Sequence, residues 1–355
     1  MKIIRVILLI INIVLALGLL ATTLAGSVAP SSSILPSICA FAFLPFFAAN
    51  IVMVVVWLLM KRWECILSIA VIVFRWSMVG LFFQIGGTTK TPDVEEHPRM
   101  VSLISYNLHL FQGRCDRASQ SDTNALLFLD MLRCYNPDVL CLQEFAAPKT
   151  VSVVDSLMRM GYNHYYGAHT SREKFPYGTV VFSRLPITYV NRIDDDKILV
   201  ELLHDSDRFR VCCIHMDSYR FDDADREQLE LIRHGEMDSS SRRTLGKVKE
   251  TILSHETEWN ERIYPVVSEC TMPLLLAGDL NDIPSSWLYH QITRHMSDTF
   301  RECGMGFGST YNGGFPQFRI DMVFHNDGFR TLSHKRICST LSDHHAVFTT
   351  LEFEP

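Results

Sequence analysis

The sequence predicts an α+β domain, sheet layered with helix, carried behind a helical membrane anchor. Hydrophobicity is concentrated at one end: three apolar stretches, roughly Ile3 to Ala25, Leu35 to Met60 and Ile66 to Ile85, fill the first part of the 355-residue chain. Charge divides at the same place. Up to Lys90 stand six Lys/Arg and one acid, Glu64, which leaves 27 of the 33 basic and 38 of the 39 acidic residues for the remainder, a net of −11 there. From Met100 onward, short apolar runs alternate with longer polar-periodic segments, the pattern of strands mixed with amphipathic helices.

Each apolar stretch has the ~20 residues that a helix needs to cross a ~30 Å hydrocarbon core. Residues 1–86 are therefore expected to form a three-span transmembrane anchor, with 87–99 a polar, turn-rich linker and 100–355 one further domain. Cleavage of the first stretch as a signal peptide is the alternative, but its apolar run exceeds the usual ~7–15 residues and two more stretches follow. Lys2 and Arg5 precede the first stretch, Lys61 and Arg62 separate the second from the third, and the loop GSVAPSSSILPS has no charge. Both basic ends then belong in the cytoplasm, and the long domain is extracytoplasmic on a multi-pass membrane protein. Arg75 counts against this topology. A mid-span arginine costs ~2.5–3.5 kcal/mol on insertion scales, and a third span that failed to insert would leave the domain in the cytoplasm.

In the long domain VSLISYN, VLCLQE, GTVVFS, FRVCCIHM, LLLAGDLN, IDMVFHN and AVFTTLEF have strand length and composition. NALLFLDMLRCYN and VVDSLMRMGY read as amphipathic helices, and the charged segment from about Asp222 to Ser268 as mostly helical, with a serine cap before RRTLGKVKE. Eight of the ten cysteines lie after residue 90, none in a C-x-x-C, and several interrupt apolar runs. Such thiols behave as small buried hydrophobes rather than as a disulfide framework.

Run after run of apolar residues ends or begins on a polar group able to meet metal or phosphate. VSLISYN ends at Asn107, VLCLQE at Glu144 and VCCIH at His215; LLLAGDLN delivers Asp279 and Asn281; Asp321 opens IDMVF; Asp343 and His344 precede the last strand. An ion inside a sheet's core would be costly, whereas at strand ends it reaches a pocket. Singly, each residue has an ordinary reading: Asn107 a turn residue, Asp279 a helix cap, His215 a core histidine, Asp321 a partner for Arg319. One shared pocket accounts for all of them together.

These residue types suit hydrolysis of a phosphate ester. A hard divalent ion such as Mg²⁺ takes oxygen ligands, which Glu144 and Asn107 supply. Asp279 can deprotonate or orient a water and Asn281 position it. His215 and His344 can donate to phosphoryl oxygens, and Asp321 or Asp343 can fix the tautomer of His344. Two adjacent histidines on an extended chain face opposite ways, so His345 is expected to serve packing or a local hydrogen bond. The chain has no G-x-x-x-x-G-K-[ST], G-x-S-x-G, H-E-x-x-H or pre-helical G-x-G-x-x-G, and no His/Cys spacing of a structural zinc site.

SYN at 105–107, LQE at 142–144, GTVVFSRLPI at 178–187, GDLND at 278–282, RID at 319–321 and SDHHAV at 342–347 together resemble the endonuclease/exonuclease/phosphatase superfamily, which includes deoxyribonuclease I. The resemblance spans residues 100 to 353 and implies a four-layer αββα sandwich, two packed β-sheets flanked by helices. It implies Glu144 as the main Mg²⁺ (or Mn²⁺) ligand with Asn107 nearby and Asp343 close to the metal. Asp279 would activate water, Asn281 align it, and His344 paired with Asp321 stabilise the transition state. His215 in IHMDS resembles the histidine of the sphingomyelinase-like and deadenylase-like branch. Met216 and His345-Ala346 depart from the family pattern without removing a catalytic group.

Membership does not choose a substrate. The net of −11 argues against broad nucleic-acid binding, and Arg242, Arg243, Lys247 and Lys249 read as a solvated helix face. An anchor in the lipid bilayer through residues 3–85 favours a phospholipid or small phosphoester, with nucleic acid as the alternative. An inactive domain that binds partners or lipid is the reading from another class. No protein partner is read from the sequence.

Overall fold

Every apolar run singled out after Met100 is a strand in the computed structural model, which describes residues 2–93, 97–113, 118–170, 176–222, 224–225, 227–228, 231, 239–313 and 317–354. They are β2 (Met100–Asn107), β3 (Val139–Phe145), β5 (Pro176–Ser183), β8 (Asp207–His215), β9 (Leu274–Asp279), β12 (Asp321–His325) and β14 (Ala346–Phe353). Strands that the sequence did not single out complete the sheets: β4 (His164–Thr170), β6 (Ile187–Arg192), β7 (Lys197–His204), β10 (Ser297–Asp298) and β13 (Phe329–Ile337). A separate two-residue pair joins β1 (Phe83–Gln84) to β11 (Gly306–Phe307).

The chain divides into two compact units. Phe82–Met216, Glu261–Asp282 and Thr293–Pro355 make one; Met1–Leu81, Asp217–Asn260 and Ile283–Ile292 make the other. In the first, two six-stranded mixed sheets run β13-β14-β2-β3-β5-β4 and β10-β12-β9-β8-β7-β6. Each has a single parallel pair at its centre, β2 with β3 and β8 with β9. Parallel partners finish at the same edge, so Asn107 and Glu144 emerge together, as do His215 and Asp279. The antiparallel neighbours β12 and β14 bring their beginnings to those edges: Asp321 is in register with Asp279, and Val347 with Ser105. This connectivity gathers residues from six strand ends.

Side-chain alternation builds the core on either side of these strands. Leu103, Val139, Cys141, Val181, Val200, Val211, Cys213, Leu275, Ala277 and Val323 pack between the sheets. Their neighbours Ile104, Tyr106, Leu140, Leu142 and Phe182 point outward onto Ala125, Phe128, Leu129 and Leu132 of helix Ser121–Tyr135 and onto Leu157 of Val153–Arg159. All nine cysteines among the described residues are unpaired, as their placement in apolar runs predicts.

In the other unit the expectation of three spans meets a correction. Among the described residues one helix, Lys2–Gly26, is by itself long and apolar enough to cross a membrane. The second stretch is two helices, Ile34–Phe41 and Phe43–Leu59, bent by 59°. Pro45 causes the break: it has no N–H for the Phe41 carbonyl, and its ring crowds that carbonyl. The third stretch gives a helix of 10 residues, Cys65–Phe74, about 15 Å long at ~1.5 Å per residue and so half a hydrocarbon core. It stops at Arg75, which packs over Phe43. These helices share a polar seam: Ser68 Oγ bonds Asn12 Oδ1 and lies 3.0 Å from Asn50 Oδ1, while Asn50 Nδ2 donates to the Leu15 carbonyl at 3.1 Å. Arg5 pairs with buried Glu64.

Candidate active site

Two features of the backbone aim side chains into the pocket. Glu144 lies at a register shift in β3, between Leu142 and Phe145, with a left-handed φ of 47°. A bulge of this kind re-aims a strand-end side chain, and Glu144 stays 32% exposed, although its strand is buried. Asn281 is also left-handed at φ 48°, a conformation that Asn tolerates well. Its N–H donates to Asp279 Oδ1 at 2.8 Å and its Nδ2 to the Met216 carbonyl at 2.9 Å. Between β8 and β9 the approach is so close that a Cβ on Gly278 would meet the Ile214 carbonyl oxygen at 1.8 Å; only glycine allows Asp279 and His215 to stand side by side.

The geometry joins all the sequence-derived candidates. Asn107 Nδ2 donates to Asp279 Oδ2 at 3.0 Å and to Glu144 Oε1 at 3.2 Å. His215 Nε2 is 3.6 Å from Glu144 Oε1 and 3.9 Å from Asp279 Oδ2, beyond hydrogen-bond reach of both, and is buried with no hydrogen-bond partner. His344 Nε2 faces Asp279 Oδ2 at 3.7 Å and Asp343 Oδ1 at 3.9 Å, while its Nδ1 bonds Asp321 Oδ2 at 2.9 Å. Asp321, rather than Asp343, is thus the tautomer-fixing partner. Arg319 does not pair with Asp321; it binds Asp298 through two nitrogens at 3.1 and 2.7 Å, fully buried.

The electrostatics follow from burial. Desolvation alone would hold His344 neutral, but the carboxylates of Asp321, Asp279 and Asp343 outweigh it and push the imidazole up to about 10. It is a cation at neutral pH. Burial, reinforced by Asp279, pushes Asp321 upward against the pull of His344. The proton of the pair belongs on the imidazole, because three carboxylates surround it.

Sequence reasoning missed three neighbours. His109 Nδ1 lies 3.3 Å from Asp343 Oδ1, held on a turn in which His109, Leu110 and Phe111 all have positive φ; its position two residues past Asn107 was the only signal. Thr310 Oγ1 accepts the N–H of Asp321 at 2.9 Å. Tyr311 packs edge-on against the His344 ring, 5.4 Å between centroids. His345 turns away as expected, accepting the Ser339 N–H at 3.2 Å.

The donor set suits a hard cation. Glu144 presents a partly exposed carboxylate with Asn107 beside it, and the orphaned His215 Nε2 marks a place where a polar group is wanted. Asp279, Asp321 and His344 offer ligand atoms within 4.8 Å of one another, but the hydrogen bond already joining Asp321 to the protonated His344 makes that trio a charge network first.

Residues 104–344 match the Endonuclease/Exonuclease/phosphatase family, and the chain belongs to that family of phosphoester hydrolases, whose enzymes depend on divalent metal. Residues 5–82 match a second family, described as Domain of unknown function (DUF8431). Among solved structures, truncated Caenorhabditis elegans TDP2 is similar at 15% identity over 73% of this chain and 99% of that one, with a TM-score of 0.50. The human Nocturnin catalytic domain with bound sulfate aligns at 13% identity over 75% and 100% of the two chains, TM-score 0.49. An endonuclease/exonuclease/phosphatase from Beutenbergia cavernae DSM 12333 aligns at 19% identity over 72% of each chain, TM-score 0.49. At 15% identity the likeness to TDP2 bears on the fold alone. No curated protein matches the chain.

Proposed function

We propose that the chain is a membrane-tethered, Mg²⁺- or Mn²⁺-dependent phosphoesterase that hydrolyses a phosphodiester by attack of water. The single observation that carries this reading is the buried Asp321–His344–Asp279 array at 2.9 and 3.7 Å, opposite a partly exposed Glu144. Glu144 and Asn107 would hold the ion, with Asp343 toward the same end. When bound, the ion would supply Lewis-acid stabilisation of a phosphoryl oxygen. Asp279 takes the proton of the attacking water as the water oxygen bonds phosphorus; the opposite P–O bond breaks and the alkoxide leaves to take a proton from solvent, while Asn281 fixes the Asp279 carboxylate through its N–H. The His344 imidazolium, held by Asp321, donates to phosphoryl oxygens as charge builds on them, and His215 Nε2 donates from the Glu144 side.

The substrate reading favours a phospholipid or small phosphoester. On helix Ser239–Glu258, Arg243 lies 3.0 Å from Asp222, and Lys247 pairs with Asp225. Their charge is spent on acids of the same chain rather than offered to a polyanion, which disfavours a nuclease. Tethering draws support from helix Lys2–Ala21, where Ile3, Ile4, Val6, Ile7, Ile10, Ile11, Val14 and Leu17 are all exposed. A row of that length is stable against lipid and costly in water. An extracytoplasmic domain draws support from the uncharged loop after the first stretch. There Ser31 donates its N–H and hydroxyl to Glu256 at 2.6 and 2.7 Å, so loop and later chain share one side, away from Lys2, Arg5, Lys61 and Arg62.

The test is hydrolysis of bis(p-nitrophenyl) phosphate by the full-length protein in detergent. Activity should require Mg²⁺ or Mn²⁺, vanish with chelator and fall at least ~10³-fold in Asp279→Ala. Wild-type protein inert on diesters and monoesters with every divalent ion would favour the binding-domain reading.

A further inference from the structure

Where the chain leaves its last apolar stretch, it does not pass into a free linker. It zips at once onto the 303–308 segment: Gly308 N donates to the Phe82 carbonyl at 3.0 Å, Phe83 and Gln84 pair in register with Phe307 and Gly306, and Thr88 N donates to the Cys303 carbonyl at 3.1 Å. The fit is close, since a Cβ on Gly87 would meet the Gly304 carbonyl oxygen at 2.0 Å. This clip carries an apolar surface. Phe83 and Phe307 stack edge-to-face at 4.9 Å, and Ile85, Met305 and Phe307 are 85%, 62% and 70% exposed. Bare aromatic and aliphatic groups clustered on a two-residue ladder mark an interaction surface rather than a core.

We propose that this clip is a membrane-contact element of the catalytic unit, with Ile85, Met305 and Phe307 inserted at the boundary between head groups and acyl chains. The inference rests on the tethered reading above. The occupant is lipid rather than a partner protein because Phe83 and Ile85 are themselves the last residues of the third apolar stretch, Ile66 to Ile85, which the tethered reading assigns to the membrane. Aromatic and aliphatic side chains are favoured at the head-group boundary, and exposed Lys90, a few residues on, suits the phosphate layer. Contact on this element would fix the height and tilt of the active site above the bilayer, which matters for an esterase that draws its substrate from the membrane.

The test uses full-length protein reconstituted in phosphatidylcholine vesicles containing a fifth anionic lipid. Met305→Cys carries an environment-sensitive NBD probe in a background with Cys115, Cys134 and Cys338 changed to Ser; Ile85→Cys is the second reporter, should the first fail to fold. Asn191→Cys, on exposed β6, is the control. Nitroxide lipids should quench residues 305 and 85 at least threefold more than residue 191, with aqueous iodide giving the reverse order, and Phe307→Asp should abolish the difference. Equal quenching at all three sites overturns the proposal, as does quenching that depends only on protein density, which would report a second copy on the patch. An alkaline wash separates the two readings. Protein that is stripped from the vesicles refutes the tether and the clip together; protein that stays while residues 305 and 85 remain iodide-accessible refutes the clip alone.

Discussion

Asp321→Asn tests the electrostatic core of the site with almost no change of shape. The substitution removes the negative charge of the group bonded to His344 Nδ1 at 2.9 Å, with both groups buried, and keeps an amide oxygen able to accept that hydrogen bond. Unit charges ~3 Å apart attract by ~5 kcal/mol at an effective dielectric constant of about 20. Breaking one partner out of a buried pair typically costs ~3–5 kcal/mol, or about 2–4 pKa units. Asp279 and Asp343 remain at 3.7 and 3.9 Å, so His344 falls from about 10 to about 6–8 rather than to the low value of an isolated buried imidazole. The sign matters: the imidazolium is the working form, and a lowered pKa removes it as pH rises. Wild-type kcat should therefore show no falling limb from this group between pH 6 and 9. The variant should acquire one with a midpoint near ~7 and stand ~30-fold below its own acid plateau at pH 8.5. Initial rates on bis(p-nitrophenyl) phosphate at saturating Mg²⁺ read this directly, with circular dichroism to verify the fold. A variant whose profile superimposes on wild type would refute the assignment of His344 as a charged stabiliser held by Asp321.

The neighbouring histidines should be unequal. His344→Ala should lower kcat by ~10²–10³ or more, and His345→Ala, whose ring accepts the Ser339 N–H on the side away from Asp321, should stay within about threefold; similar losses in both would move the chemistry elsewhere. His334 gives a pH-stability prediction of the opposite sense to His344. Burial holds it down to about 4, so the unfolded chain takes up its proton near pH 6.5 while the folded one refuses it. Stability should drop by about 2 kcal/mol from pH 7.5 to 5, and His334→Gln should abolish that part of the slope in denaturant titrations; identical slopes would sink the claim. A periplasm-dependent reporter fused after Pro355 should be active in a bacterial host, and a silent fusion in full-length, stable protein would place the domain in the cytoplasm.

How much of this was legible in the sequence depends on the range over which each feature is decided. Strand alternation and a polar residue at a strand end are local, so Asn107, Glu144, His215, Asp279, Asp321 and His344 could be picked out and expected to meet. Their partners were decided at long range. Arg319 stands two residues from Asp321, yet its fork is filled by Asp298, twenty-one positions away; proximity in sequence said nothing about which carboxylate was buried beside it. The left-handed turns at Glu144, His109 and Asn281 exist because pairing and packing hold them there, and no local propensity favours positive φ for Glu or Phe. The anchor failed differently. Apolar content was counted correctly, but Pro45 breaks the second stretch and Arg75 ends the third, so composition alone overstated the number of straight spans.

The charge balance of the pocket explains why four acids suit an enzyme for an anionic substrate. Asp279, Asp321 and Asp343 surround the His344 imidazolium, and Glu144 stands on the other side of Asp279, beside His215. A phosphodiester carries a further negative charge and would be repelled from such a site at every contact distance shown here. The surplus becomes useful only with a divalent cation at Glu144: Glu144 binds the ion, while the acids around His344 keep it charged above its ordinary range. The same acids that make the site hostile to phosphate without metal thus set the protonation states that hydrolysis needs. Neutralising Glu144 to Gln should therefore weaken metal binding and leave His344 as it is: the Mg²⁺ concentration for half-maximal rate should rise while the pH dependence of kcat is unchanged, because the three carboxylates around His344 remain. A half-maximal Mg²⁺ concentration that stays at the wild-type value would mean that Glu144 does not hold the ion.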